Sequence, residues 1–332
     1  MKSPNASRRA ISIGLASTAL AFLACGAHGI GHAQLGDRAV KLILPVATAS
    51  GVDTITRAAQ GALSQALGRP VVVDNQPGAG GIVGTSAMVR SAPDGQTLSI
   101  VSNNHVIYPS VYKSLPFDPI GDITPIAIIG STPIVIVVNS AKVPANNVKE
   151  LVALLKAKPG QFNYGSSGNG TILHLAAEMF MDEAGVKATH VPYKGVGPML
   201  TDLIGGQVEI GALSLPSVQQ HLKSGALHAI GVGTQARLAA APDIPTMAEQ
   251  GMPDYLVEGW FAVIGPAKLP PAEVKRINAA FATAFATPEV KEAMAKQGNT
   301  INVSTPEYAE QFFRSEMTKY AKLVKKAGIE LQ

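Results

Sequence analysis

Lys41-Leu-Ile-Leu-Pro45-Val-Ala-Thr-Ala-Ser-Gly-Val-Asp53 decides how this chain is read. An apolar, strand-like run ends at Pro45, a loop of small residues follows, and a helix opens at Asp53. The same order recurs at Val71-Val-Val73 with Asn75-Gln-Pro-Gly-Ala-Gly-Gly81, and at Phe162-Asn-Tyr164 with Gly165-Ser-Ser-Gly-Asn-Gly170 before Thr171. A strand-to-helix junction of this kind leaves backbone N–H groups unpaired at the positive end of a helix, which suits an anion. Open α/β sheets place their ligands at this edge. The three junctions point to an α/β protein that holds a small carboxylate-like anion.

Outward from the first junction, strands are predicted at 40–45, 71–74, 97–101, 161–164, 190–192, 208–213 and 229–232. They alternate with predicted helices at 53–67, 81–91, 148–157, 171–184 and 217–224, which is the pattern of α/β layers. The stretch Pro109–Pro125 is also interrupted by Pro116 and Pro119 and reads as an irregular excursion. The β-branched runs Ile126–Ile129 and Ile134–Val138, separated by Gly-Ser-Thr-Pro, read as a crossing between two domains. Glu258–Gly265 reads as a strand returning to the first domain. Helices at 271–286, 288–297 and 305–327 follow, with Pro271, Pro288 and Pro306 near their starts.

Residues 1–33 read as a signal peptide. Lys2, Arg8 and Arg9 form the basic segment, Ile11–Ala24 the apolar one, and Gly31-His32-Ala33 offers cleavage after Ala33. Ser7-Arg8-Arg9 leaves the general and the twin-arginine export routes both open, and Leu23-Ala24-Cys25 resembles a lipidation site. Removing the three basic residues of this leader takes the formal charge from +4 to +1, so nothing in the charge argues for nucleic acid. Cys25 is the only cysteine. The mature chain therefore has no disulfide, no thiol nucleophile and no Cys-ligated metal. A core of Ala, Val, Ile, Leu and Gly with 5% aromatics suits a parallel sheet covered by helices on both faces.

Enzymatic motifs are weak. Gly165-Ser166-Ser167-Gly168 invites comparison with a nucleophile elbow, but Asn169 holds the place of the last glycine. A secreted serine hydrolase using Ser166 or Ser167 with His174 is the alternative reading. His105, His174, His190, His221 and His228 show no metal-ligand spacing, and no phosphate-binding loop is present, so no metal and no nucleotide cofactor is expected. Anion binding asks for less. Thr48 and Ser50, with Asp53 as the expected helix cap, sit at the first junction, and Ser166, Ser167 and Thr171 at the third. Each hydroxyl could equally cap its own helix. His174 could donate to the anion, Tyr193 could form an apolar wall with a polar tip, Lys194 could be a counter-charge or solvated, and Asn103, Asn104 and His105, just after the strand at 97–101, could read a second polar group.

Val40-Lys-Leu-Ile-Leu-Pro45, Gly68-Arg-Pro-Val-Val-Val-Asp-Asn75, Pro77-Gly-Ala-Gly-Gly81, Ala92-Pro-Asp-Gly95, Tyr164-Gly-Ser-Ser-Gly168, His190-Val-Pro-Tyr-Lys-Gly195, Thr201-Asp-Leu-Ile-Gly-Gly-Gln207 and Ile244-Pro-Thr246 occur in this order. Together they resemble the Bug-type periplasmic solute-binding receptors of tripartite tricarboxylate transporters. The resemblance implies a two-domain periplasmic binding protein of the Venus-flytrap type, each lobe a sheet flanked by helices. Lobe 1 would comprise residues 34–133 and 252–332, lobe 2 residues 134–251. It implies a carboxylate in the cleft, held by backbone N–H groups, hydroxyls and ordered waters, with no cofactor. It also implies a pair of transporter membrane subunits as partners, and a monomer as the default state. A ligand-sensing partner of a membrane kinase would share the same site.

The candidate ligand-binding set is Val46, Ala47, Thr48, Ala49, Ser50, Asp53, Asn103, Ser166, Ser167, Gly168, Thr171, His174, Tyr193, Gly195 and Leu213. Two departures from the family pattern matter. Its usual glycine pair in the first loop is here Ala49-Ser50. Leu213 stands where members that bind amino acids would want an aspartate to meet the ammonium. A di- or aromatic carboxylate is therefore expected ahead of an amino acid.

Overall fold

The computed structural model describes residues 38–329 and 331; the signal peptide, its cleavage site and Cys25 lie outside the described residues. The strands are β1 (Val40–Leu44), β2 (Val71–Asn75), β3 (Thr97–Ser102), β4 (Ile123–Asn139), β5 (Asn163–Ser166), β6 (Thr189–Pro192), β7 (Ile210–Ser214), β8 (Leu227–Val232), β9 (Glu258–Pro266) and β10 (Thr300–Ile301). The helices are α1 (Gly51–Leu67), α2 (Ile82–Val89), α3 (Asn104–Ile107), α4 (Val148–Ala157), α5 (Ile172–Ala184), α6 (Val196–Gly205), α7 (Leu215–Lys223), α8 (Pro271–Ala286), α9 (Pro288–Lys296) and α10 (Pro306–Lys326).

The strands follow the order β2-β1-β3-β9-β4-β7-β5-β6, with β8 and β10 also paired to β4. One half is parallel across β2, β1 and β3 and is closed by antiparallel β9 and the first part of β4. The other half is parallel across β7, β5 and β6, and is joined antiparallel to the last part of β4. Two cores form, one within the first half and one that runs through both halves. Leu42, Leu44, Ile55, Leu63, Phe281 and Phe285 fill one. Ile136, Leu151, Phe180, Leu203, Ile230 and Tyr255 belong to the other, which α10 joins through Phe313, Tyr320 and Val324.

The two β-branched runs expected to flank a crossing are one continuous strand of 17 residues. Residues Ile123–Pro133 face β9, and Ile134–Val138 face β7. The intervening Gly-Ser-Thr-Pro only looks like a turn. A side chain at Gly130 would fall on the Thr300 carbonyl oxygen of β10, and the register shifts between Ile128 and Gly130. Glycine thus marks a close approach and an irregularity in the ladder. Pro133, which has no N–H to give, sits where the strand changes partners. Helix α6 is an addition that the sequence did not suggest.

α1 presents Val52, Ile55, Ala59, Leu63 and Leu67 to the core at helical spacing. Its cap is Ser50, not Asp53. The Asp53 N–H donates to Ser50 Oγ at 3.2 Å, and Asp53 Oδ2 accepts from the Ala49 N–H at 3.1 Å. This is a reciprocal capping box. The other Asp53 oxygen accepts from Arg57 at 2.9 Å and Asn75 at 3.0 Å. The box holds Ala49 at φ 63°, a left-handed conformation that costs an alanine but not a glycine. Ala49→Gly is expected to raise stability by about 1 kcal/mol in urea unfolding.

His105 is fully buried in the second core, stacked on Phe117 and edge-on to Phe313. Its Nε2–H donates to the Pro119 carbonyl at 2.6 Å, and Nδ1 has no partner among the described residues. Burial holds its pKa down, from 6.5 to about 4. The unfolded chain therefore takes up a proton that the folded one refuses. Stability is whole above pH 6.5 and falls as the pH drops toward 4. The loss from this group should approach about 3 kcal/mol, and urea unfolding of His105→Leu should lack that share of the acid slope.

Candidate functional site

All three repeated junctions open into one cavity of about 470 Å³. Val46, Ala47 and Ser50 come from the loop after β1, Gly78–Gly81 from the turn before α2, and Ser167, Gly168 and Asn169 from the loop after β5. Tyr193, Lys194 and Gly195, after β6, complete the wall with Asn104 and Tyr112. Behind it lies a narrower chamber of about 70 Å³ that shares Val46, Ser50, Asn104, Ser167 and Val196. This inner chamber reaches Gly51 and Val52 of α1, Thr132 of β4, Ser214 of β7 and Trp260 of β9.

The helix starts at the first and third junctions are not equivalent. At α1 the capping box takes the N–H groups of Ala49 and Asp53, and the Ser50 carbonyl takes that of Thr54. No group among the described residues accepts from the N–H of Gly51 or Val52. Because Ser50 Oγ accepts from the backbone, its own proton is left to donate. At α5, Asn104 Oδ1 from the opposite half accepts the Ile172 N–H at 2.8 Å, and Thr171 Oγ1 accepts that of His174 at 3.3 Å. The end of α5 is thus largely occupied by protein groups.

Around the cavity the halves touch. Ser217 Oγ donates to the Ala49 carbonyl at 3.0 Å. Gly195 has φ 112°, and a side chain there would come within 2.7 Å of Ala47 Cβ. Neither chamber has an Asp or Glu in its lining, and Lys194, which is exposed, is the one charged residue there among the described residues.

Val46, Ala47, Ser50, Ser167, Gly168, Tyr193 and Gly195 line the cavity as a group. The other candidates do not. Thr48 and Ala49 are exposed, outside the lining. Asp53 has both carboxylate oxygens engaged in the capping box and with Arg57 and Asn75. Asn103 borders the inner chamber, yet its amide donates to Tyr320 Oη at 2.6 Å and to the Glu258 carbonyl, and its oxygen accepts the Trp260 N–H at 2.8 Å. It holds the strand ends together and has nothing left to read a ligand. Thr171 is buried and donates to the Gly168 carbonyl at 2.8 Å. The Tyr193 ring is a wall, but its hydroxyl is tied to Asp202 at 2.9 Å. Leu213 points into the core, because strand alternation turns its neighbour Ser214 to the chamber instead.

His174 faces another side of the second half. Its ring stacks on His190 at 3.9 Å, and His190 on Tyr164 at 4.9 Å. Nδ1 of His174 accepts the Gly170 N–H at 3.1 Å, and Nε2 lies 3.7 Å from Glu178. Ser166 Oγ does meet a histidine, but it is His190, at 2.6 Å. That serine is fully buried, and its Oγ also bonds the Gly168 backbone. Burial first, and the neighbouring His174 second, hold the His190 pKa down to about 4. His174 and His190 border an open pocket with Glu178 and the end of α10, but Ser166 itself is fully buried and does not line it. Among the described residues no cluster of His, Cys, Asp and Glu is arranged to hold a metal.

Sequence reasoning named Asn104 beside Asn103 and read Trp260 as core, but passed over Thr132 and Ser214. Their signal is weak: each needs the strand pairing to show which face it occupies. Trp260 is both core and wall, its indole N–H held by Glu316 at 2.8 Å.

Over residues 55–329 the sequence matches the family described as tripartite tricarboxylate transporter family receptor. It is 34% identical to Protein BugT of Bordetella pertussis over 297 residues, covering 89% of this chain and 91% of that protein. The fold is similar to that of the periplasmic binding protein BugD, at a TM-score of 0.85 and 30% identity over 89% of this chain and 99% of that one. It is equally similar to an R. palustris protein solved with adipate, at a TM-score of 0.86 and 28% identity over 90% of this chain and 100% of that one. With a two-lobed fold, a cavity where its sheet-edge loops meet, and these matches over most of its length, the chain belongs to the family of tripartite tricarboxylate transporter receptors.

Proposed function

We propose that this receptor captures a small di- or aromatic carboxylate between its lobes and delivers it unchanged to the membrane subunits of a tripartite-type transporter. The lobes are residues 34–133 with 252–332, and residues 134–251. The protein acts as a monomer in the periplasm after cleavage behind Ala33. The observation that carries this reading is the convergence of the three junctions on one cavity. There the free N–H groups of Gly51 and Val52 and the Ser50 hydroxyl offer uncharged donors to an anion. Val46, Ala47, Ser50, Ser167, Gly168, Tyr193 and Gly195 form the contact surface.

An α-amino acid fits poorly, because no carboxylate lines either chamber to meet its ammonium. Leu213, buried in the core, takes no part in this selection. The adipate complex of the R. palustris relative supports an acid as the ligand class. A hydrolase reading finds no support in Ser166, whose hydroxyl is sealed and engaged. Lobe closure on the ligand supplies affinity through contacts that exist only in the closed state.

Thermal unfolding in a panel of mono-, di- and tricarboxylates, aromatic acids and amino acids tests the ligand class. A cognate acid at about a hundred times its Kd should stabilise the protein by about 2.7 kcal/mol, and mass spectrometry should recover it unaltered. Aspartate or glutamate outranking every simple dicarboxylate would overturn the class. Gly195→Ala should weaken binding of the best acid roughly tenfold or more, read by calorimetry, since its new methyl group meets Ala47 on closure.

A further inference from the structure

The inner chamber contains a hydroxyl that nothing in the fold explains. Thr132 stands on β4 opposite Gly259 of β9 and is only 7% exposed. Its Oγ1 is sealed from bulk water and has no hydrogen-bond partner among the described residues. The polar groups beside it are engaged elsewhere. Asn103 holds Tyr320 and Trp260, Asn104 holds Gly80 and Ile172, and Ser214 pairs with Ser217 at 2.7 Å. A valine would fill the same volume without burying an orphan donor, so an unpaired threonine at this depth calls for a partner that the chain does not supply.

The α1 amides border the same chamber. Gly51, whose N–H is free, lies against Thr132: a Cβ built on Gly51 would be 3.8 Å from Thr132 Cγ2. The chamber's about 70 Å³ has room for one small group, not for a whole dicarboxylate. Val46, Ile134, Leu173 and Trp260 supply the apolar part of the wall, beside Ser102, Asn103, Asn104, Ser167 and Ser214. Ser50, Gly51 and Val52 of α1 and Thr132 of the strand shared by both halves thus border one small chamber.

We propose that Thr132 is a specificity-determining residue of this receptor, closing the donor ring around the inner carboxylate of the ligand while the rest of the ligand occupies the outer cavity. The inference rests on the receptor reading above and adds to it a side chain that recognises the head group. Because the hydroxyl meets the carboxylate common to all ligands, it sets affinity for acids as a class and does not discriminate among their tails.

Calorimetric binding of succinate, adipate and benzoate to the wild type, Thr132→Val and Thr132→Ser tests it, together with the melting temperature of each protein without ligand. Thr132→Val should weaken every acid that the wild type binds by a similar factor, roughly tenfold or more, and Thr132→Ser should restore most of that loss. The melting temperature of Thr132→Val without ligand should be unchanged or higher, since an orphan polar group has been removed. Wild-type affinity in Thr132→Val, or a loss that Thr132→Ser does not restore, would overturn the role of Thr132 alone. A wild type that binds none of the three acids nor any member of the wider panel would overturn the receptor reading itself.

Discussion

A helix cannot satisfy its own first amides, and this protein treats that fact differently at two of its sheet-edge junctions. At α1 the capping box of Ser50 and Asp53 takes the amides on either side of Gly51 and Val52 and leaves those two bare. At α5 an asparagine from the opposite half takes the first amide directly. One junction therefore keeps two amides free, and the other is a joint between halves. Sequence alone makes them look alike, since both are small-residue loops ending in a hydroxyl residue before an apolar helix.

The cavity exists because two sheets share a strand. β4 runs through both, and the chain returns to the first half at Glu258. These passages bring loops that are far apart in sequence to one place. Ala47 meets Gly195, Ala49 meets Ser217, and Asn104 meets Ile172. Each contact is modest, of the order of 1 kcal/mol for a neutral hydrogen bond. Their sum can shift with a ligand, which is what a receptor that opens and closes requires.

Much of the fold was legible in the sequence. Helix α4 and the starts of the proline-led helices α8 and α9 stand where spacing and capping put them, because apolar periodicity and Pro at the first turn are local signals. Two features were not legible. Gly130 and Pro133 mimic a turn inside β4, although one serves close approach of β10 and the other a change of partners. Gly197 and Pro198 hide the first turn of α6 behind residues that usually mark loops. The site was readable to the level of loops and not of side chains. The backbone-rich stretches at Val46, Ala47, Ser167 and Gly168 line the cavity as a run of sequence suggests. Side-chain direction failed at Leu213/Ser214. There the neighbour faces the chamber, and only register and local geometry settle which. His174 failed for a related reason: a residue in the first turn of α5 points around the helix, and its partner in stacking lies on β6.

The shared strand has a mechanical consequence. A rotation of one lobe against the other would be taken up as twist in the two paired passages between them, β4 near Pro133, where a ladder bond is already missing, and the return at Glu258. The receptor then behaves as two jaws on a torsion bar. Its resting angle is written into the backbone of β4, and substitutions there would retune the opening of the jaws without touching anything that meets the cargo.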